Sequence, residues 1–74
     1  MNVEYIKDYT TQRILGILRH EANGDIYAID FESQNILGVY KASQNITIEY
    51  TSQRIVSKGN SVVSFIYQRQ SQRR

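Results

Sequence analysis

The sequence has no cysteine, no proline and only one histidine. Without cysteine, neither a disulfide nor a thiolate metal site can supplement the hydrophobic core. Without proline, no position interrupts the hydrogen-bonded ladder of a β-sheet. No apolar run approaches the roughly 18 residues that span a bilayer, and the N-terminus lacks a signal-like region. These absences predict a cytoplasmic protein with no membrane partner.

The chain is short enough to form one domain with a narrow margin of stability. A 74-residue domain buries only about 60% of the surface that its unfolded chain exposes. Self-association would bury more apolar surface without a disulfide or a metal. We therefore expect a homo-oligomer.

The net charge of +2 is divided unevenly along the chain. Residues 1–37 carry a net charge of −3, and residues 38–74 carry a net charge of +5. This asymmetry indicates either an anionic partner for the C-terminal half or head-to-tail contact between copies.

A degenerate repeat organises the chain. Its pattern is an apolar stretch, an acidic residue, an aromatic residue, two polar residues, glutamine, a polar residue and two aliphatic residues. The copies are centred on Gln12, Gln34 and Gln53, with a fourth, more divergent copy at Gln72. Gly16 and Gly38 share one repeat position, which predicts a bend, a bulge or a close backbone approach in each copy.

The repeat predicts an all-β fold. Polar breaks recur every 8 to 12 residues, and residues 46–51 alternate strictly between apolar and polar side chains. We predict a small antiparallel meander or barrel-like domain of about six to seven short strands, built from three to four hairpin-like repeats. The last strand is expected at 62–67, which places the domain at 1–67 and a flexible basic tail at 68–74.

The N-terminal segment admits two interpretations. Its apolar residues fall loosely on one helical face, so an α+β fold with a helix within residues 3–23 is the alternative. The repeat favours strands, because the matching downstream segments are strand-like. Asn23-Gly24 predicts a hairpin with a type I′ turn, in which both residues take a positive φ.

Few residues are suited to catalysis. Any Ser–His–Asp triad would have to use His20, which we interpret as a surface residue beside a turn. Asp8, Asp30 and Glu49 share one repeat position, and we expect them to accept hydrogen bonds from the turns on a solvated face. No phosphate-binding loop or metal-ligand spacing is present, so no cofactor, metal or enzymatic activity is predicted.

Polar turn residues give the clearest functional hypothesis. If the turns are aligned, they form a rim of amide and guanidinium groups, which suits carboxylate or phosphate ligands. The predicted binding residues are Gln12, Arg13, Gln34, Asn35, Gln53, Arg54, Arg69, Gln72, Arg73 and Arg74. The predicted function is a non-catalytic interaction or assembly module that presents this rim. The alternative is a nucleic-acid-binding accessory protein that uses the arginines, with a small hydrolase as the third class.

Overall fold

The structure, a computed structural model, describes the backbone of residues 2–72 and the side-chain surroundings of residues 2–69. It contains six strands and one helix: β1 (Asn2–Lys7), β2 (Ile14–His20), β3 (Ile26–Asp30), β4 (Ile36–Lys41), β5 (Ile46–Glu49), β6 (Ile55–Lys58) and α1 (Val63–Gln72). The strands form one antiparallel sheet in the order β1-β2-β3-β4-β5-β6. The predicted small all-β meander is confirmed.

The N-terminal segment is β-structure. β1 and β2 pair along their whole length, from Asn2 opposite His20 to Lys7 opposite Ile14. The alternative helix within residues 3–23 is therefore wrong. Pairing with β2 places Ile6 and Leu18 in one core, whereas a helix over these residues would leave most of its faces polar.

A β-bulge recurs in each of the three repeats. The register shifts between Ile6 and Lys7, between Ala28 and Ile29, and between Thr47 and Ile48. In each case one residue of the following strand has no directly opposed partner: Leu15, Leu37 or Val56. Bulges increase the local twist of a sheet. The repeat therefore encodes a bulged hairpin, not only a turn.

The Asn23-Gly24 hairpin is present, but its turn differs from the prediction. Gly24 has a φ of 97°, whereas Asn23 is not in the positive-φ region, so the type I′ turn is wrong. The Asn23 side chain instead accepts a hydrogen bond from the Asp25 amide at 3.0 Å. This Asx interaction stabilises a longer loop in which only the glycine has a positive φ.

Helix α1 occupies the segment that was predicted to be the last strand. The strand at 62–67 is wrong, and the helix crosses the predicted boundary at residue 67. Val62, Phe65, Ile66 and Arg69 are spaced as one helical face. The Val62 amide donates to Oδ1 of Asn60, and the Ser64 hydroxyl donates to the Ser61 carbonyl, which fixes the start of the helix. Packing of this face outweighs the strand preference of valine and isoleucine.

The core lies between α1 and one face of the sheet. It consists of Ile6, Leu15, Leu18, Ala28, Val62 and Ile66, and the helix contacts β2, β3 and β4. Thr47 is fully buried beside this core. Its hydroxyl donates to the Gly59 carbonyl and accepts from the Ser61 amide, which fixes the connection between β6 and α1.

The two repeated glycines allow the helix to approach the sheet. A Cβ at Gly16 would lie 2.8 Å from the Ile29 carbonyl oxygen and from the Ile66 side chain. A Cβ at Gly38 would lie 2.4 Å from the Phe65 ring. The predicted close backbone approach is confirmed at Gly16, whereas at Gly38 the close neighbour is a side chain. In the third repeat the position is held by Ser57, whose hydroxyl bonds to that of Ser61.

Within residues 2–72, no helix is long and apolar enough to cross a membrane.

Candidate functional site

Three equivalent turns lie along one edge of the sheet, which we call the rim: residues 8–13, 30–35 and 49–54. They share an edge because they join β1 to β2, β3 to β4 and β5 to β6 in an uninterrupted meander. Neighbouring rim turns are two strands apart, which corresponds to about 9.5 Å. The structure therefore aligns six of the predicted residues: Gln12, Arg13, Gln34, Asn35, Gln53 and Arg54.

Each rim turn has the same backbone hydrogen bonds. In the second turn, the Asp30 amide donates to the Asn35 carbonyl at 2.9 Å, and the Gln34 amide donates to the Asp30 carbonyl at 2.8 Å. The corresponding bonds join Asp8 to Arg13 and Gln12, and Glu49 to Arg54 and Gln53. The repeat thus specifies a four-residue loop that closes on its glutamine.

The glutamines are the residues with left-handed backbone conformation. Their φ angles are 63° at Gln12, 61° at Gln34 and 60° at Gln53. Each Nε2 donates to the carbonyl of the aromatic residue three positions earlier: Tyr9, Phe31 and Tyr50. These bonds offset the steric cost of a left-handed conformation in a residue with a Cβ. The side-chain NH₂ groups of the glutamines thus stabilise the turns. The residues next to them in the sequence, Arg13, Asn35 and Arg54, are the other exposed residues of the predicted set on the rim.

We expect Gln34→Ala to lower the free energy of unfolding by about 1 kcal/mol, because it removes the side-chain hydrogen bond and keeps a Cβ in a left-handed position. Gln34→Gly removes the same bond but adopts a positive φ without a steric cost, so its loss should be smaller. Urea denaturation of the two variants measures the difference. A glycine variant no more stable than the alanine variant would contradict this account of the turn.

The acidic residue of each repeat accepts hydrogen bonds within its own turn, as predicted. Asp8 Oδ1 accepts from the amide and hydroxyl of Thr10 and from the Thr11 amide. Asp30 Oδ2 accepts from the amide and hydroxyl of Ser33, and Glu49 accepts from the Ser52 hydroxyl. The solvated position predicted for Asp30 is wrong. This residue is fully buried, because it lies on the sheet face that α1 covers.

The hydrogen bonds from the Thr10 side chain and from the Thr10 and Thr11 amides, together with the Arg13 charge, lower the pKa of Asp8. A folded-state pKa below the unfolded value stabilises the fold above the unfolded pKa, and the contribution is lost as the pH falls through the folded pKa. We expect Asp8→Asn to remove this part of the acid sensitivity below about pH 4. Chemical denaturation as a function of pH measures it. Equal pH dependence in the two proteins would show that these bonds do not favour the carboxylate.

A groove beside the rim brings together two of the predicted residues, Asn35 and Arg69. Its volume is about 440 Å³, and its lining combines apolar and polar side chains from two rim turns, the start of β4 and α1: Asn35, Ile36, Leu37, Glu49, Tyr50, Thr51, Phe65, Gln68 and Arg69. The Arg69 Nε is buried without a hydrogen-bond partner among the described residues. The groove therefore has both apolar side chains and a guanidinium group in its lining.

The remaining predicted residues do not form a fourth turn. Residues 63–72 are helical, so Gln72 lies in α1 and the fourth copy of the repeat is wrong. Arg73 and Arg74 lie outside the described residues. Arg13 and Arg54 are exposed on separate turns of the rim. The lone histidine, His20, lies at the end of β2, where its Nε2 is 3.4 Å from the Glu4 carboxylate.

Sequence reasoning missed a second feature, the sheet face opposite α1, which we call the helix-free face. Residues paired across antiparallel strands point to the same side, so the register assigns this face. It carries Tyr5, Ile17, Tyr27, Ile29, Val39, Ile46, Ile48 and Ile55. Within the described part of the chain, the only helix contacts β2, β3 and β4 from the other side. The sequence signal was the near-continuous apolar character of residues 14–18 and 36–40, which is typical of strands apolar on both faces.

The comparisons identify no relative of this chain. No protein-family model matches it, and no curated protein or solved structure matches it. Function is therefore inferred from the rim, the groove and the helix-free face.

Proposed function

We propose that the chain is a non-catalytic protein-interaction module whose helix-free face is covered by a partner protein. One observation carries the proposal: within residues 2–72 no helix packs on this apolar sheet face, and its apolar side chains on the two edge strands, Val3, Tyr5 and Ile55, are exposed. Soluble domains rarely expose large contiguous apolar patches, and those that do usually bind another molecule through them.

The face has a graded exposure that suits an interface. At its centre Val39 is only 2% exposed, and Ile29 and Ile48 are also buried. Towards the edge strands, Tyr5 is 53% exposed and Ile55 is 65% exposed. A partner would bury these outer side chains and complete a second layer over the sheet.

The rim would contribute polar contacts beside this apolar surface. Arg13 and Arg54 project from rim turns whose backbone is fixed by internal hydrogen bonds. The planar guanidinium group of arginine suits a carboxylate, because it donates two parallel hydrogen bonds and loses less conformational freedom per hydrogen bond than an ammonium group. Two kinds of protein partner are consistent with the expected assembly role: a second copy of the chain and a different protein.

Because the chain has no cysteine, a single introduced cysteine can be labelled selectively. A photo-crosslinker at Ile55→Cys reports on the helix-free face, and the same group at Tyr67→Cys, half-exposed on α1, is the matched control. With labelled protein in extract of the cells that produce it naturally, we expect discrete protease-sensitive adducts from position 55 and not from position 67.

Two results would overturn the proposal. The first is equal adduct formation, or none, from the two labelled positions. The second is an adduct at position 55 that is removed by nuclease and not by protease, which would favour the nucleic-acid alternative. Light scattering of the purified protein then shows whether the partner is a second copy, because a self-associated form has a mass above 8.6 kDa.

A further inference from the structure

Three basic residues form a row along one edge of the helix-free face. Arg19, Lys41 and Lys58 lie at or near the C-terminal ends of β2, β4 and β6, which end at the edge opposite the rim. The register places all three on the helix-free face, since Arg19 pairs with Tyr27, and both Lys41 and Lys58 pair with Ile46. We call these residues the basic row.

The basic row has no acidic counterpart among the strand residues of the same face. The strand carboxylates Glu4, Asp30 and Glu49 are paired with Leu18, Gly16 and Gly38 and therefore lie on the face that α1 covers. Arg19 donates to Glu21, a residue of the adjoining turn, and its guanidinium lies 4.8 Å from the Tyr27 ring centre. The helix-free face is thus apolar across its width and basic along one edge.

We infer that this face binds an amphipathic α-helix of a partner protein that carries acidic residues along one flank. The inference rests on the proposed function and names the partner class for the same surface. The apolar side of such a helix would cover the partly exposed Tyr27 and Ile46, and its acidic flank would lie along the basic row. Charge complementarity of this kind determines which partner is accepted.

The spacing of the row fits a helix that crosses the strands. Lys41 and Lys58 lie at one level, opposite Ile46, and are two strands apart, about 9.5 Å. Arg19 is also two strands from Lys41 but is level with Val39, so it lies two residues nearer to the rim. Two turns of an α-helix advance about 10.8 Å, so side chains seven residues apart lie on one flank at nearly the same spacing. Six strands are about 24 Å wide, which a helix of about 16 residues would cross.

A second copy of the chain fits this face less well. In a face-to-face dimer, each basic row would meet the helix-free face of the other copy. The strand residues of that face include Lys7, Arg19, Lys41 and Lys58 and no acid, whatever the rotation between the copies. The dimer would bury apolar surface but would bring no strand carboxylate to Lys41 and Lys58. An acidic helix provides both the apolar cover and the counter-charge.

The test uses a synthetic amphipathic peptide of about 20 residues with leucine on one side and glutamate at every seventh position of the flank. A second peptide has lysine in place of those glutamates. We expect the glutamate peptide to bind the wild-type protein with an affinity that falls as salt is added. The double variant Lys41→Glu/Lys58→Glu should bind it about tenfold more weakly and should gain affinity for the lysine peptide.

Lys7→Glu is the matched control, because Lys7 lies on the same face but at the rim edge, away from the basic row. Its effect should be at most about threefold, the size expected for a distant, screened charge. Equal affinity of the glutamate peptide for the wild type and the double variant would overturn the inference. So would a failure of that peptide to bind, or its displacement by a single-stranded oligonucleotide. If protein adducts still form at position 55, the partner class is wrong and the interaction module stands.

Discussion

Ile66→Ala is expected to lower the free energy of unfolding by about 2–5 kcal/mol. Ile66 is fully buried, packs over Gly16, and belongs to the cluster that joins α1 to the sheet. Truncation leaves a cavity that the rigid sheet cannot fill. A domain of 74 residues has a total stability of roughly 4–11 kcal/mol, so the variant would be close to unfolding at room temperature.

Thermal and urea denaturation followed by circular dichroism measure this loss. Tyr67→Ala is the control, because Tyr67 is the next residue of α1 and is half-exposed. Its effect should stay within about 0.5 kcal/mol, as for most surface substitutions. A loss below about 1 kcal/mol for Ile66→Ala would mean that the helix does not hold the sheet as described.

Gly16→Ala is expected to cost roughly 3 kcal/mol, although it adds a single methyl group. The new Cβ would lie 2.8 Å from the Ile29 carbonyl oxygen, which is backbone of the adjacent strand, and equally close to Ile66. Neither group can withdraw without disturbing β3 or lifting α1. Overpacking of this kind displaces the helix from the sheet.

Comparison of Gly38→Ala with Gly16→Ala distinguishes a clash with a side chain from a clash with the backbone of a neighbouring strand. The three atoms nearest to the Cβ at position 38 would all belong to the Phe65 ring, a partly buried side chain that can be shortened without changing the backbone. We expect a loss of about 1 kcal/mol, recovered largely when Phe65→Leu is added. The same second substitution should not rescue Gly16→Ala. Equal losses for the two glycines, or rescue of both, would contradict the assignment of these contacts.

The sheet could be predicted from the sequence because the repeat combines strands, turns and glycines in one period. The match of Gln12, Gln34 and Gln53 located all three rim turns, and the shared Gly16 and Gly38 located the close approach. Residues of one repeat determine these features through local hydrogen bonds and alternation. The rim turns and the repeated glycines could therefore be located without knowing what packs on the sheet.

The helix could not be predicted from the same signals. Val62 to Tyr67 is rich in residues that favour strands, and the helix there depends on the packing of Val62 and Ile66 on the sheet and on the hydrogen bonds at its start. The left-handed conformation of the glutamines was missed because asparagine and glycine are the usual residues at such positions. The helix and the left-handed glutamines both depend on specific contacts, which the average structural preferences of the residue types do not include.

The rim was predicted as a binding surface, and the structure changes the role of its residues. The NH₂ groups of the three glutamines are engaged in their own turns. Asn35 and Arg69 meet in a groove although they are far apart in sequence, which spacing alone does not reveal. The helix-free face was missed because strands apolar on both sides were interpreted as half-buried.

Backbone amide chemical shifts, recorded while the acidic amphipathic peptide is added, test most directly whether the helix-free face is an interface. We expect the largest changes at Tyr27, Val39, Lys41, Ile46 and Lys58, and small changes at Leu18 and Ala28, which α1 covers, and at Ile66 of α1. Changes centred on α1 or on the rim groove, with none along β3 to β6 of the helix-free face, would contradict the account.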